Sequence, residues 1–141
     1  GDFTLHLDLS TGDSCSDPVP ILVGDQNGLT EHALGSTTGK TDDAVGSCSS
    51  SIGSVNPDVV YAVTRMATGT VTENTTAMNG LNSVTFARST CTSASPELGC
   101  SNPLTSNNSN VTLSNVGSTP VYLFVDSSGG QAGGYNLSFH P

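Results

Sequence analysis

Apolar and polar residues alternate with a period of two along most of this chain. In the first nine positions Phe3, Leu5, Leu7 and Leu9 alternate with Thr4, His6 and Asp8, which predicts a half-buried strand. Turn-forming residues follow up to Pro18, then an apolar run at 19–23, a turn at Asp25-Gln-Asn-Gly28 and a further strand over 29–37. Residues 39–57 are rich in Gly and Ser and predict a long loop pinned by Cys48. Residues 58–65 hold a near-continuous run of β-branched and aromatic side chains, the pattern of a central strand covered on both faces. Strands are also predicted at 68–76, 83–88, 110–116, 120–126 and 133–139, with Asn79-Gly80 as a tight turn and 91–100 as a disulfide-closed loop or hairpin. Eight to ten short, evenly spaced strands predict an all-β sandwich.

Composition agrees with that reading. Helix formers are scarce, with one Lys, three Glu and two Gln among 141 residues, against 39 Ser and Thr and 16 Gly. The alternation of apolar positions separates the chain from a disordered one of similar polarity. One domain is the expectation at this length. The net charge of −9, with only Lys40, Arg65 and Arg88 positive, removes the electrostatic attraction on which nucleic-acid binding depends and repels anionic lipid. No apolar run approaches the roughly 18 residues needed to span a bilayer, and no leader segment precedes Gly1, so the sequence reads as a mature exported chain.

The four cysteines, Cys15, Cys48, Cys91 and Cys100, lack the C-x-x-C spacing of zinc and redox sites and are expected to form two structural disulfides in an oxidising, extracellular setting. Of the three connectivities, the sequence-local one is preferred: Cys15 with Cys48, and Cys91 with Cys100.

Three segments together resemble the bacterial pre-peptidase C-terminal (PPC) domain: D-S-C-S-D-P-V-P-I at 13–21, T-T-G-K-T-D-D at 37–43 leading to Cys48, and D-V-V-Y at 58–61. V-Y-L-F-V-D at 121–126 and G-G-Y-N-L-S-F at 133–139 look like the last two strands of such modules, and Cys91 to Cys100 falls where many of them place a small disulfide. The resemblance covers about residues 12 to 140. It implies a jelly-roll-like antiparallel β-sandwich on secreted or surface proteins, generally without catalysis of its own, with some members binding calcium or extracellular polymers. The departure is the setting: this module is expected to stand alone, with no enzyme attached and an additional N-terminal strand in front of it.

That additional strand is the most informative feature for function. Residues 1–7 and 133–139 share the pattern G-x-aromatic-x-L-x-apolar one domain length apart, so the first segment resembles the closing strand of a preceding module. It is accounted for as the tail of an upstream repeat, as an ordinary first strand, or as a strand donated to a neighbouring subunit. Donation is preferred, because Phe3, Leu5, Leu7 and Leu9 must otherwise find room in a sandwich already complete; residues 1–10 are then a donor strand and 11–141 the sandwich domain. Such head-to-tail contacts build filaments when they do not close into rings.

Catalysis finds no assembled machinery. His6, His32 and His140 stand apart from any G-x-S-x-G elbow, and nothing among the 12 acids singles out a carboxylate pair. For an ion, hard-oxygen ligands make calcium the natural choice, with Asp42, Asp43 and Asp58 flanking one loop and Asp13, Asp17 and Asp25 near another, although no D-x-D-x-D-G loop is present and solvated acids in turns or caps are the preferred reading. Asn74, Asn107, Asn110 and Asn136 each begin an N-x-S/T sequon, a number that chance supplies in so Ser/Thr-rich a chain, with Asn107 and Asn110 the most accessible. The expectation is a non-catalytic extracellular subunit that self-assembles into a homopolymer through its N-terminal strand. The alternative is a carbohydrate- or protein-binding accessory module, disfavoured by the absence of Trp and by the placing of Tyr61, Tyr122 and Tyr135 in core strands.

Overall fold

The computed structural model describes residues 10–26, 29–49, 55–94, 96–104 and 106–141. The strand predicted over residues 1–9, with Phe3, Leu5, Leu7 and Leu9, lies outside the described residues. Nine strands are described: β1 (Val19–Val23), β2 (Glu31–Ser36), β3 (Val59–Arg65), β4 (Gly69–Ala77), β5 (Ser83–Arg88), β6 (Glu97–Ser101), β7 (Asn108–Val116), β8 (Val121–Ser127) and β9 (Gly134–His140). They form two packed sheets, one ordered β1-β3-β8-β5-β6 and the other β2-β9-β4-β7. Pairing is antiparallel except at one edge, where β1 runs parallel to β3 with Val19 opposite Tyr61. The result is the expected all-β sandwich.

Alternation decides which side chains fill the gap between the sheets. Val59, Tyr61 and Val63 of β3 meet Leu123 and Val125 of β8, Tyr135, Leu137 and Phe139 of β9, and Val71, Val111 and Leu113 from β4 and β7 in one continuous core. The five-stranded sheet is buried on its other face as well. Val60, Val84, Phe86 and Phe124 form a second cluster there with Ala44 and the cysteines. The loop at 41–49 lies over this outer face, so β3 and β8 read as near-continuous apolar runs and all six residues of β5 are buried. The Asn79-Gly80 turn forms as predicted, both residues at positive φ (55° and 83°), the geometry that this dipeptide tolerates best. It does not join a hairpin: β4 and β5 belong to different sheets, and the turn carries the chain across the sandwich edge.

The disulfide connectivity corrects the sequence-local expectation. Cys15 bonds Cys91, and Cys48 bonds Cys100. The segment 91–100 does bring the chain round from β5 into β6, but no bond closes it. Phe86 is the register partner of Cys100, so Cys100 stands on the outer face of the sheet beneath the covering loop, where Cys48 waits. Cys91, in the turn after β5, faces the N-terminal segment and Cys15 instead. Each bond thus joins a covering segment to the sheet, a long-range relation that local spacing does not encode.

Gly46 shows how closely that cover lies. A Cβ there would come within 2.6 Å of the Phe86 ring and 2.9 Å of the Cys100 sulfur. Gly46→Ala should therefore lift the loop and destabilise the domain by about 1–3 kcal/mol, the usual cost of forcing extra volume into a packed interior. A lowered urea midpoint at unchanged slope would register it.

Candidate functional site

The two long sides of the sandwich are not equivalent. On one, β6 and β7 pack against each other. On the other, β1 and β2 leave a cleft of about 300 Å³ with Val19 on one wall, Ala33 to Ser36 on the other, and Tyr61 and Tyr135 at its floor. The floor is fixed by a hydrogen bond between the two tyrosine hydroxyls at 2.9 Å. Burial pushes both phenols above their ordinary pKa, so they remain protonated. Gly35 is what allows Tyr135 its place, since a Cβ there would meet the ring at 2.5 Å.

Two properties make this side incomplete. Val19, Ile21 and Ala33 point inward against the core yet are only half-buried, because no described strand stands between the two edges. The outer edges of β1 and β2 also carry no described partner strand. Of the two, β1 holds Pro20, which lacks an N–H and blunts its edge. β2 has neither Pro nor Lys, and its Leu34 is 79% exposed. Ser10 and Thr11 line the same cleft.

The acidic residues take other places. Asp13 accepts from the Thr41 amide (2.8 Å), Asp17 from the Thr11 amide and hydroxyl (2.8 and 2.9 Å), and Asp25 pairs with Arg65 at 3.2 Å. They serve as loop caps and an ion-pair partner. Asp42 and Asp43 are exposed, whereas Asp58 is buried and caps the covering loop by accepting from the amides of Asp43 (2.8 Å) and Ala44 (3.0 Å).

Sequence reasoning missed the partner of Asp58. Val59 pairs with Val125, so Asp58, just before one, and Asp126, just after the other, reach the same end of the sheet. Both are buried, and Oδ1 of Asp58 and Oδ2 of Asp126 have no hydrogen-bond partner. Desolvation raises Asp58 to about 6 and Asp126 to about 8, the latter pushed further by the charges of Asp58 and Asp42. The alternation of V-Y-L-F-V-D, which puts Asp126 on the face of Tyr122 and Phe124, was the available signal. Among the described residues no three carboxylate, imidazole or thiolate groups converge on a metal position.

His32 is exposed on β2, and His140 meets the Thr30 hydroxyl at 2.9 Å. Of the sequons, Asn107 and Asn110 are exposed, as expected. Asn74 and Asn136 are half-buried on the outer face of the four-stranded sheet, where Asn74 is the register partner of Asn110.

No family model and no curated protein sequence matches the chain. Among solved structures it is similar to the pre-peptidase C-terminal domain of collagenase from Bacillus anthracis, with a TM-score of 0.54 and 14% identity over 86% of this chain and 95% of that one. The fold is PPC-like. At that identity the PPC likeness concerns architecture alone, and none of the side chains above inherits a role from it. The two disulfides suit an oxidising compartment. No helix among the described residues is long and apolar enough to cross a membrane.

Proposed function

We propose that this chain is a non-catalytic, extracellular structural subunit that polymerises by donating residues 2–9 of one copy to the β2 edge of the next. The observation that carries the reading is the incomplete side of the sandwich: an unblunted β2 edge beside a cleft whose inward apolar residues are half-buried. Strand addition at β2 would supply main-chain hydrogen bonds. The alternate side chains Phe3, Leu5, Leu7 and Leu9 would cover Val19, Ile21 and Ala33 from the open side. Because donor and acceptor surfaces differ, each copy keeps one of each free, and the assembly propagates head to tail. The place of Ser10 on the cleft lining also allows the segment to fold back into its own cleft, and the experiment separates the two.

Electron microscopy of the full chain should show filaments. A version lacking residues 1–9 should stay monomeric and should bind a synthetic peptide of those residues in equal proportion. Equal assembly with and without the segment refutes donation. Monomers in both cases, with a truncated protein that still takes up the peptide, would assign the segment to its own cleft.

A further inference from the structure

A second cavity, of about 390 Å³, opens on the outer face of the five-stranded sheet, away from the cleft described above. The Cys15–Cys91 disulfide forms one wall, the covering loop at Asp43 and Ala44 another, and Phe124 the floor. It holds two buried groups of opposite charge that do not pair with each other. The Arg88 guanidinium lies over the rings of Phe86 and Phe124, 4.9 and 5.2 Å from their centroids, and donates to the Val45 carbonyl at 2.7 Å. Its Nε has no acceptor, although the side chain is 95% withdrawn from water. Asp58, also on the lining, spends one carboxylate oxygen on the loop amides and leaves Oδ1 without a donor.

Leaving a guanidinium nitrogen and a carboxylate oxygen without partners beside one cavity is costly, each by an amount that ring contacts and two amide bonds offset only in part. A single occupant that reaches both side chains would complement their charges. It needs an anionic acceptor at one end and a donor at the other, and a net-neutral molecule avoids repulsion by a surface of charge −9. We propose that this cavity binds a small zwitterion of amino-acid size, its carboxylate held by Arg88 and its ammonium by Asp58. The rim of Ser14, Ser16 and Thr92 hydroxyls admits a hydrated ligand, and Phe124 accommodates a short apolar stem.

The test is an amide NMR titration of the full chain with glycine and L-serine, with acetate and methylammonium as single-charge controls. The zwitterions should shift the amides of Ser16, Ala44 and Thr92 saturably, and each control should bind at least about tenfold more weakly, the equivalent of about 1.4 kcal/mol. Arg88→Gln should abolish the shifts. Since that buried substitution can also unfold the domain, Thr92→Trp at the exposed rim gives an independent check, blocking entry while leaving the remaining spectrum intact. Shifts that are absent for both zwitterions, equal for the controls, or unaltered by Thr92→Trp in a folded protein would overturn the assignment.

Discussion

Raising the pH from 5 to 8.5 should lower the melting temperature of this domain by at least about 10 °C, at up to about 1.4 kcal/mol per pH unit for each carboxyl that is ionised on unfolding but protonated when folded. Among the described residues, three such groups are built in. Glu73, fully buried between the sheets, is raised to about 8 by desolvation, which outweighs hydrogen bonds from the Thr75 hydroxyl (2.6 Å) and the Val111 backbone. Asp126 is raised to about 8 and Asp58 to about 6. In each case the folded chain retains a proton that the unfolded chain has lost. The stability is therefore full below about pH 4 for these groups and declines as pH climbs to 6 for Asp58 and to 8 for the other two. Asp17 acts in the opposite sense: its pKa is lowered by the Thr11 backbone and side-chain hydrogen bonds, so its contribution is lost only as the solution becomes strongly acidic. The optimum should fall near pH 4–5, below the usual range.

Substitutions distinguish the sources. Glu73→Gln removes the ionisation while keeping an acceptor for Thr75, and should flatten the decline between pH 6 and 8 and raise the melting temperature at pH 8. Asp126→Asn should act at the end of the sheet beneath the covering loop, slowing hydrogen exchange at Asp43 and Ala44 at pH 8. A melting temperature that rises with pH over 5 to 8, or a Glu73→Gln curve parallel to the parent, would contradict the reading.

The strand pattern was legible because one rule, burial on alternate positions, acts on every strand. The alternation at Tyr135, Leu137 and Phe139, and the β-branched run at 59–63, each placed a strand to within one residue. Glu73 shows the limit of that rule. It occupies an inward position between Val71 and Thr75, where the period predicts an apolar residue, and only the hydroxyls of Thr75, Thr85 and Ser109 around it reveal a polar pocket inside the core. The cleft between β1 and β2 was equally hidden, since which strands end as edges is a property of sheet order and not of any strand's own sequence. The Asp58 and Asp126 pair joins residues 68 positions apart through the β3–β8 register, and a linear motif search for acids could supply only the loop neighbours Asp42 and Asp43.

Disulfide connectivity was illegible for the same reason, and it leads to the other large effect. In the loop-entropy treatment, closures of 76 and 52 residues each contribute about 4 kcal/mol. Together they rival the entire net stability of a typical domain, about 5–15 kcal/mol. Reduction should unfold the protein or lower its melting temperature by roughly 20 °C or more, and Cys48→Ala with Cys100→Ala should free the loop over Phe86 first. The chain's three basic residues make the pairing directly readable. Trypsin cleaves after Lys40, Arg65 and Arg88, placing Cys15, Cys48 and the Cys91/Cys100 pair on three separate peptides. Without reductant, the observed bonds hold all three peptides in one species. The sequence-local bonds would instead join only the peptides of Cys15 and Cys48, leaving 89–141 alone with an internal bridge. Further cleavage after Glu97, between Cys91 and Cys100, then assigns each bond: Cys15 should travel with Cys91, and Cys48 with Cys100.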